Sequence, residues 1–272
     1  MRDFRIAAGM MRSVVGDKAG NLLRVRTLAA EAAAGGAEVL VLPEACLTGY
    51  TVRESLAPLA EPVPGPLTEA VQKSAAEFGL TILAGLLESV PSGPCYLTQV
   101  MIGPEGVIGS YRKTHLGPTE KTLFAAGDSL RVIAWDQGQV KFGLQLCYEG
   151  HFPEISLSQA RMGAEVILIS HASPREGPQD KLERWRRYLP ARAYDNTVFM
   201  AAVNQVGHNG QGLTFAGVAM IVDPKGDILA QAAGDEEALI FADLCGRDLE
   251  EIRQGRMGYF LPWRRPDLYR LD

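Results

Sequence analysis

Three polar side chains in this sequence each follow an apolar run, in positions where they could do chemistry. Cys147 comes directly after the run at 140–146 and precedes Tyr148-Glu149-Gly150-His151-Phe152-Pro153-Glu154 and a helical stretch. A strand-to-helix turn lifts a side chain above a sheet and leaves backbone N–H groups free beside it, which is what a nucleophile and an oxyanion hole need. A buried structural cysteine is the commoner use of such a position. Glu44 follows Pro43 at the end of the apolar run 38–42. A carboxylate at a buried strand end is costly unless paired, and proteins keep one there mainly as an acid or base with a raised pKa. A helix cap or a surface loop acid is the alternative. Lys113 lies in Gly109-Ser110-Tyr111-Arg112-Lys113-Thr114-His115-Leu116, just past an apolar hairpin strand. An ammonium there could hold a developing oxyanion, whereas a solvated basic pair, Arg112-Lys113, is the plainer reading.

The elements that would position these groups alternate between short apolar runs and amphipathic helical stretches, the pattern of an α/β protein. Residues 5–11 predict a first strand. Residues 17–34 predict a helix, with Leu22, Leu23, Val25, Leu28 and Ala32 at helical spacing and Gly35-Gly36 ending it. The chain also carries an internal echo. Gly36-Ala37-Glu38-Val39-Leu40-Val41-Leu42 resembles Gly163-Ala164-Glu165-Val166-Ile167-Leu168-Ile169, and the two end near Glu44 and His171. Two strand-and-turn words also repeat, around Pro104-Glu105-Gly106 and Pro224-Lys225-Gly226. The expectation is two similar sheets stacked face to face, with helices outside, in a single domain spanning 1–272. Residues 58–66 read as a loop. Residues 181–192 read as a charged helix with Trp185 and Leu189 on one side, and 181–187 as its solvated face. The segment 258–272 reads as an extended C-terminal tail.

Composition narrows the function classes. There are 27 Lys and Arg against 32 Asp and Glu, a net charge of −5, which argues against a nucleic-acid partner. No apolar run approaches the roughly 18–20 residues of a membrane span, and the N-terminus lacks the apolar core of a signal peptide. Four cysteines, 46, 95, 147 and 245, include no CxxC pair or tight Cys/His cluster, so no metal is expected. The same features point to a reducing, cytoplasmic location. Cys46 is expected to pack beneath the Glu44 loop, with Cys95 and Cys245 also structural.

Taken together, Glu44 in LPEACLTGY, Lys113 in YRKTHL and Cys147 in QLCYEGHFPE resemble the nitrilase superfamily of carbon–nitrogen hydrolases. The likeness runs over nearly the whole chain. It takes in Gly16-Asp17, Asn21-Leu22, Phe124, Gly127-Asp128, Arg192-Ala193-Tyr194-Asp195-Asn196, Asn204 and Arg264-Arg265-Pro266-Asp267-Leu268-Tyr269. The resemblance implies a four-layer α-β-β-α sandwich of two pseudo-symmetric halves. It also implies a triad in which Cys147 is nucleophile, Glu44 general base and acid, and Lys113 oxyanion donor, helped by the Tyr148 N–H. Glu120, seven positions past Lys113, matches a second glutamate that orients the lysine or the substrate; an exposed loop acid is its alternative. The implied activity is cleavage of a small linear amide or N-carbamoyl compound through a cysteine thioester, with no metal or organic cofactor, in a homodimer or higher homo-oligomer. The rival readings are a nitrilase and a catalytically silent binding member of the same fold.

Two departures from the family pattern stand out. Glu149 replaces an aspartate two residues after the cysteine, and Met10 or Met11 replaces a glutamine on the first strand. A structural role is expected for Glu149 and packing for the methionines. His115, His151 and His171 are placed near the pocket by the resemblance, and His171 is a candidate substrate contact. His208 reads as a turn residue. Arg175, in Ser173-Pro174-Arg175, could grip a substrate carboxylate or simply face water.

Overall fold

The computed structural model describes residues 1–53, 56–174, 176–255 and 257–269. The first part of the chain forms β1 (Phe4–Met10), α1 (Lys18–Ala34), β2 (Val39–Val41), α2 (Pro66–Phe78), β3 (Thr81–Ser89), β4 (Cys95–Gly103) and β5 (Gly106–Arg112). The second forms β6 (Val132–Trp135), β7 (Val140–Leu146), α3 (Pro153–Arg161), β8 (Val166–His171), α4 (Pro178–Asn196) and β9 (Phe199–Asn204). Then come the short β10 (Gly207–His208) and β11 (Thr214–Phe215), and after them β12 (Gly217–Val222), β13 (Ile228–Gly234), β14 (Ala238–Leu244) and α5 (Gly246–Gln254).

Two six-stranded sheets result, in the orders β14-β1-β2-β3-β4-β5 and β6-β7-β8-β9-β12-β13. Read in these orders, each sheet has one antiparallel pairing, two parallel and then two antiparallel. The echoed segments hold β2 and β8, third in their sheets, and the repeated Pro-Gly turns join β4 to β5 and β12 to β13.

Strand alternation explains the layers. Val39 and Val41 face one way and Leu40 the other, and both faces are covered, so these parallel strands are apolar throughout. Between the sheets, Phe4, Ile6, Val39 and Val41 pack with Phe142, Leu144, Val166 and Leu168. Outside the first sheet, Leu40 and Ile82 meet Val25, Leu28 and Val71 of α1 and α2. Outside the second, Ile167, Ile169 and Met220 meet Trp185, Leu189 and Ala193 of α4. This is the expected four-layer α-β-β-α sandwich. α1 begins where Asp17 accepts from the Gly20 N–H at 3.0 Å, and α2 stops at Gly79, whose φ of 68° needs a residue without a Cβ.

One polar knot crosses the middle. Ser170 Oγ donates to the Leu42 carbonyl at 2.7 Å, and Gln99 Nε2 donates to the same carbonyl at 3.1 Å and to Ser170 Oγ at 2.8 Å. It pins the ends of β2 and β8 together, directly below Glu44 and His171. The tail differs from the extended form expected. Within 258–269 two 3-10 turns form, Leu261–Trp263 and Pro266–Leu268, because Pro262 and Pro266 preset the φ that starts each turn. Phe260 stacks on Tyr194 of α4 with ring centroids 5.7 Å apart, so the tail lies on its own chain. Among the described residues, no helix is long and apolar enough to cross a membrane.

Candidate active site

Glu44 leaves β2 through Pro43 and is 1% exposed. Its Oε1 accepts from Lys113 Nζ at 2.8 Å, and its Oε2 accepts from the Ala172 N–H, just past β8, at 3.0 Å. Lys113 follows β5 and is equally buried. Its Nζ donates a second bond, 2.8 Å long, to Glu120 Oε1. An ammonium carries three N–H groups, so one remains beyond these two carboxylates. Glu120 is no exposed loop acid: at 4% exposure it also accepts from Tyr50 Oη at 2.8 Å and from the Gly117 N–H at 2.7 Å.

Cys147 opens a 3-10 turn, Cys147–His151, with a φ of 44°. Left-handed backbone at a residue other than glycine costs about 1–3 kcal/mol and persists only where the surroundings impose it. Glu149 braces the turn on both sides of it. Fully buried, its Oε2 accepts from the Leu146 N–H at 2.7 Å. Its Oε1 accepts from Tyr111 Oη (2.6 Å), the Thr114 N–H (2.8 Å) and Thr114 Oγ1 (2.6 Å). One carboxylate thus ties the cysteine turn to the residue after Lys113, the structural role expected of it.

The electrostatics divide the tasks. Burial pushes the Glu44 carboxyl up to about 7; Lys113 pulls it down and Glu120 adds to the rise. Burial and then the Glu44 charge push the Cys147 thiol up to about 12, against the pull of Lys113 and of the Ala172 N–H. Burial opposes the charge on Lys113, but Glu44, Cys147 and Glu120 outweigh it and keep the ammonium. The site therefore rests as a thiol beside a carboxylate poised near neutrality, with a fixed cation between two acids.

Beside these groups lies a cavity of about 290 Å³, at the small end of ligand pockets. Cys147, Lys113 and Glu120 line it, and Tyr50, Trp185, Tyr188 and Leu213 contribute apolar wall. Residues 5–256 match the family described as carbon-nitrogen hydrolase. The chain belongs to the carbon–nitrogen hydrolase family. It is 35% identical over 244 residues to an (R)-stereoselective amidase of Pseudomonas sp., covering 90% of this chain and 85% of the relative. It is 34% identical over 245 residues to a nitrilase of Pyrococcus abyssi, covering 87% of each. Its structure matches a glutamate-to-glutamine mutant of the amidase from Nesterenkonia sp. AN1 with a TM-score of 0.78 and 27% identity. The match covers 93% of this chain and 94% of that one, in which the acetamide moiety of fluoroacetamide is covalently added at the active site cysteine.

In this carbon–nitrogen hydrolase the other expected residues fall into place unevenly. Tyr148 is 39% exposed at the pocket, and its N–H, in the first turn after Cys147, has no intrahelical partner. His171 ends β8; it is buried, stacks on Trp185 at 4.4 Å and lines the pocket. His151 stacks on Tyr188 at 4.9 Å and also lines it. His115 does not: it packs on Phe152, with Nδ1 at 2.8 Å from Thr114 Oγ1, because the Glu149 bonds turn this loop away. Arg175 lies outside the described residues. His208 sits in β10 and accepts from the Gly210 N–H at 3.0 Å.

All four cysteines are free, and Cys46 is buried, accepting from the Gly85 N–H at 3.4 Å. Among the described residues, no group of three His, Cys, Asp or Glu side chains is arranged to hold a metal ion. The charged run at the start of α4 departs from the expected solvated face. Lys181 is wholly buried and donates to Ser173 Oγ at 2.8 Å, because the helix turns 181, 185 and 189 toward the sheet together. Tyr50, Ser173, Arg184 and Tyr188 are pocket residues that sequence reasoning did not single out. The spacing 181, 184, 185, 188 was the available signal for the helix wall.

Proposed function

We propose that this protein hydrolyses the C–N bond of a small linear amide or N-carbamoyl compound, through a thioester on Cys147, and releases ammonia. The observation that carries this reading is the bridge from Lys113 Nζ to both Glu44 and Glu120 in the pocket that Cys147 lines. A thiol at rest is a weak nucleophile and needs a base. Glu44 takes its proton as the sulfur attacks the amide carbon. Charge builds on the carbonyl oxygen, where the third Lys113 N–H and the Tyr148 N–H receive it. Losing one such donor costs about 10²–10³-fold in rate. Glu44 returns the proton to the departing nitrogen and ammonia leaves. It then deprotonates the water that cleaves the thioester. Glu120 holds Lys113 in place. The adduct at the active site cysteine of the Nesterenkonia amidase supports the role given to Cys147.

A nitrile is the second candidate substrate, favoured by the 34% identity to the Pyrococcus nitrilase. The triad draws on both halves of the chain, so residues 1–272 act as one unit in this reading. A homo-oligomer accords with Tyr194, Phe260 and Trp263, exposed together along α4 and the tail. Light scattering that finds only the 29.4 kDa species would remove it. The deciding experiment is intact-protein mass spectrometry with amide, carbamoyl and nitrile panels, alongside ammonia release. An acyl mass gain that maps to Cys147 is expected. Ammonia release without any adduct, and undiminished in Cys147→Ala, would overturn the mechanism.

A further inference from the structure

We propose that Ser173 and Lys181 form a second nucleophile and base in the pocket, a pair that hydrolyses small carboxylic esters without Cys147. This goes beyond the thiol mechanism above and does not depend on it.

The pair comes from one strand end and one helix face. Ser173 follows β8 and lines the pocket that Cys147 also lines. Lys181 stands on α4 one turn before Arg184, Trp185 and Tyr188, which line the same pocket. Lys181 is wholly buried, and its Nζ lies 2.8 Å from Ser173 Oγ. Among the described residues no carboxylate lies within ion-pair distance of that nitrogen. A lysine that served only to hold a hydroxyl would keep a buried charge uncompensated. Giving up the proton removes that cost and leaves an amine lone pair beside a hydroxyl. A serine with a desolvated lysine as its base is a known alternative to the serine–histidine pair.

The serine is held in place from two sides. Its N–H donates to Asn204 Oδ1 at 2.9 Å, and Asn204 Nδ2 donates to its carbonyl at 3.1 Å. Asn204 is itself wholly buried and also donates to the Ala216 carbonyl at 2.7 Å, which fixes Ser173 to the end of β9. Two buried nitrogens on this wall, His171 Nε2 and Arg184 Nε, have no hydrogen-bond partner among the described residues. Arg184 pairs with Glu176 through Nη1 at 3.1 Å, which leaves its Nε–H for an oxygen that gains charge.

The groups around Lys181 come from every side. Burial and then Arg184, on the same helix, lower its pKa to about 8, while Cys147 after β7 and Glu176 before α4 act the other way. His171, at the end of β8, stays neutral through its own burial. About half of these lysines are therefore free bases near pH 8, where an unperturbed one is charged.

As Ser173 Oγ attacks the ester carbonyl carbon, its proton passes to Lys181 Nζ. The C–O bond to the alcohol breaks, and the ammonium returns the proton to the departing alkoxide. Water then attacks the acyl-serine. Nζ takes a proton from that water and hands it to Ser173 Oγ as the carboxylic acid leaves. Ester and water become acid and alcohol. An ester suits the pair because an alkoxide departs more readily than an amide nitrogen.

The test uses p-nitrophenyl acetate and the full-length protein in the Cys147→Ala background. Nitrophenol release above the buffer rate should persist there and rise about tenfold from about pH 7 to about pH 9, as the lysine deprotonates. Adding Ser173→Ala should remove it. Adding Lys181→Arg should remove it too, because arginine keeps the cation but cannot act as a base, and a merely structural role would survive that change. Lys181→Met gives the same answer should the arginine variant fail to fold. In Cys147→Ala, phenylmethylsulfonyl fluoride should place its sulfonyl group on Ser173 with loss of fluoride, read by peptide mass mapping. Release at the buffer rate in Cys147→Ala overturns the proposal, as does release undiminished by Ser173→Ala or by both lysine variants, or a sulfonyl group mapped elsewhere. Ammonia release from amides by the wild type is read separately, so this pair and the thiol mechanism can each fail alone.

Discussion

Strands β1 and β7 hold the same place in their sheets, yet the residues at their C-terminal ends could hardly differ more. After β1, Met11 is wholly buried against the α1 and α2 side and carries no polar group. After β7, Cys147 takes left-handed backbone and faces the pocket. The ends of β2 and β8 both present a buried polar side chain, but Glu44 is an acid paired to a cation and His171 is a neutral ring among cations. β5 leads to Lys113, inside; β13 leads to Asp235, Glu236 and Glu237, outside. The two similarly ordered sheets offer two sets of equivalent strand ends. In the proposed mechanism, chemistry resides in the few that carry a reactive group and the neighbours to hold it. The first half brings two carboxylates and a cation; the second brings the thiol and the α4 face that carries Arg184.

Breaking the contrast at its sharpest point should give the largest effect. Cys147→Ala should lower ammonia release by on the order of 10⁴-fold or more with the melting curve retained. Met11→Leu, at the matching place, should leave turnover intact and cost under about 1.5 kcal/mol in denaturant unfolding. Wild-type-like activity in Cys147→Ala would reverse the comparison. Next, Glu44→Gln should cost about 10²–10⁴-fold in kcat, and a loss confined to KM would make Glu44 a binding group instead. If Glu44 is the base, as proposed, it works ionised, and burial raises it to about 7, so kcat/KM should rise with pH through about 7 and then level. A pH–rate profile that keeps this limb in the variant would assign it elsewhere. Glu120→Gln should cost less, about 10–10²-fold in kcat, since it acts by holding Lys113; loss equal to that of Glu44→Gln would give it a direct part in the reaction.

The smallest effect falls on stability. The folded pKa of Lys181 lies below its unfolded value, so the folded state binds its proton less well. The penalty is full below about pH 8 and fades as pH rises from there toward 10.5. Lys181→Met should therefore raise the melting temperature by a few degrees at pH 7, with the gain shrinking at alkaline pH. A lowered melting temperature at pH 7 would show that the Ser173 bond outweighs the burial cost.

Much of this arrangement was legible in the sequence because it lies at strand ends. The repeat of 36–42 in 163–169 marks two strands that proved equivalent, and the Pro-Gly turns mark two equivalent hairpins. Glu44, Lys113 and Cys147 each lie near the end of a strand-like run, a weak signal alone; it was the resemblance of the words around them to a known family that joined the three. The helix wall was harder to see. In 181–187 five charged residues accompany two apolar ones, and charge alone suggests water. Which side of α4 meets the sheet is decided by tertiary packing, and that side took Lys181 with it. The exclusion of His115 likewise depends on a bond to Glu149, 34 positions away.

The pairing of β14 with β1 has a consequence for how the chain is made. β1 is synthesised well before its antiparallel partner, residues 238–244. Until then the first sheet carries an open edge of apolar strand, the kind that recruits other chains. The N-terminal half cannot finish folding as it emerges, although segments usually fold in the order they are synthesised. A ribosome stalled midway through the second half would present Glu44 and Lys113 in a sheet still lacking its outer strand.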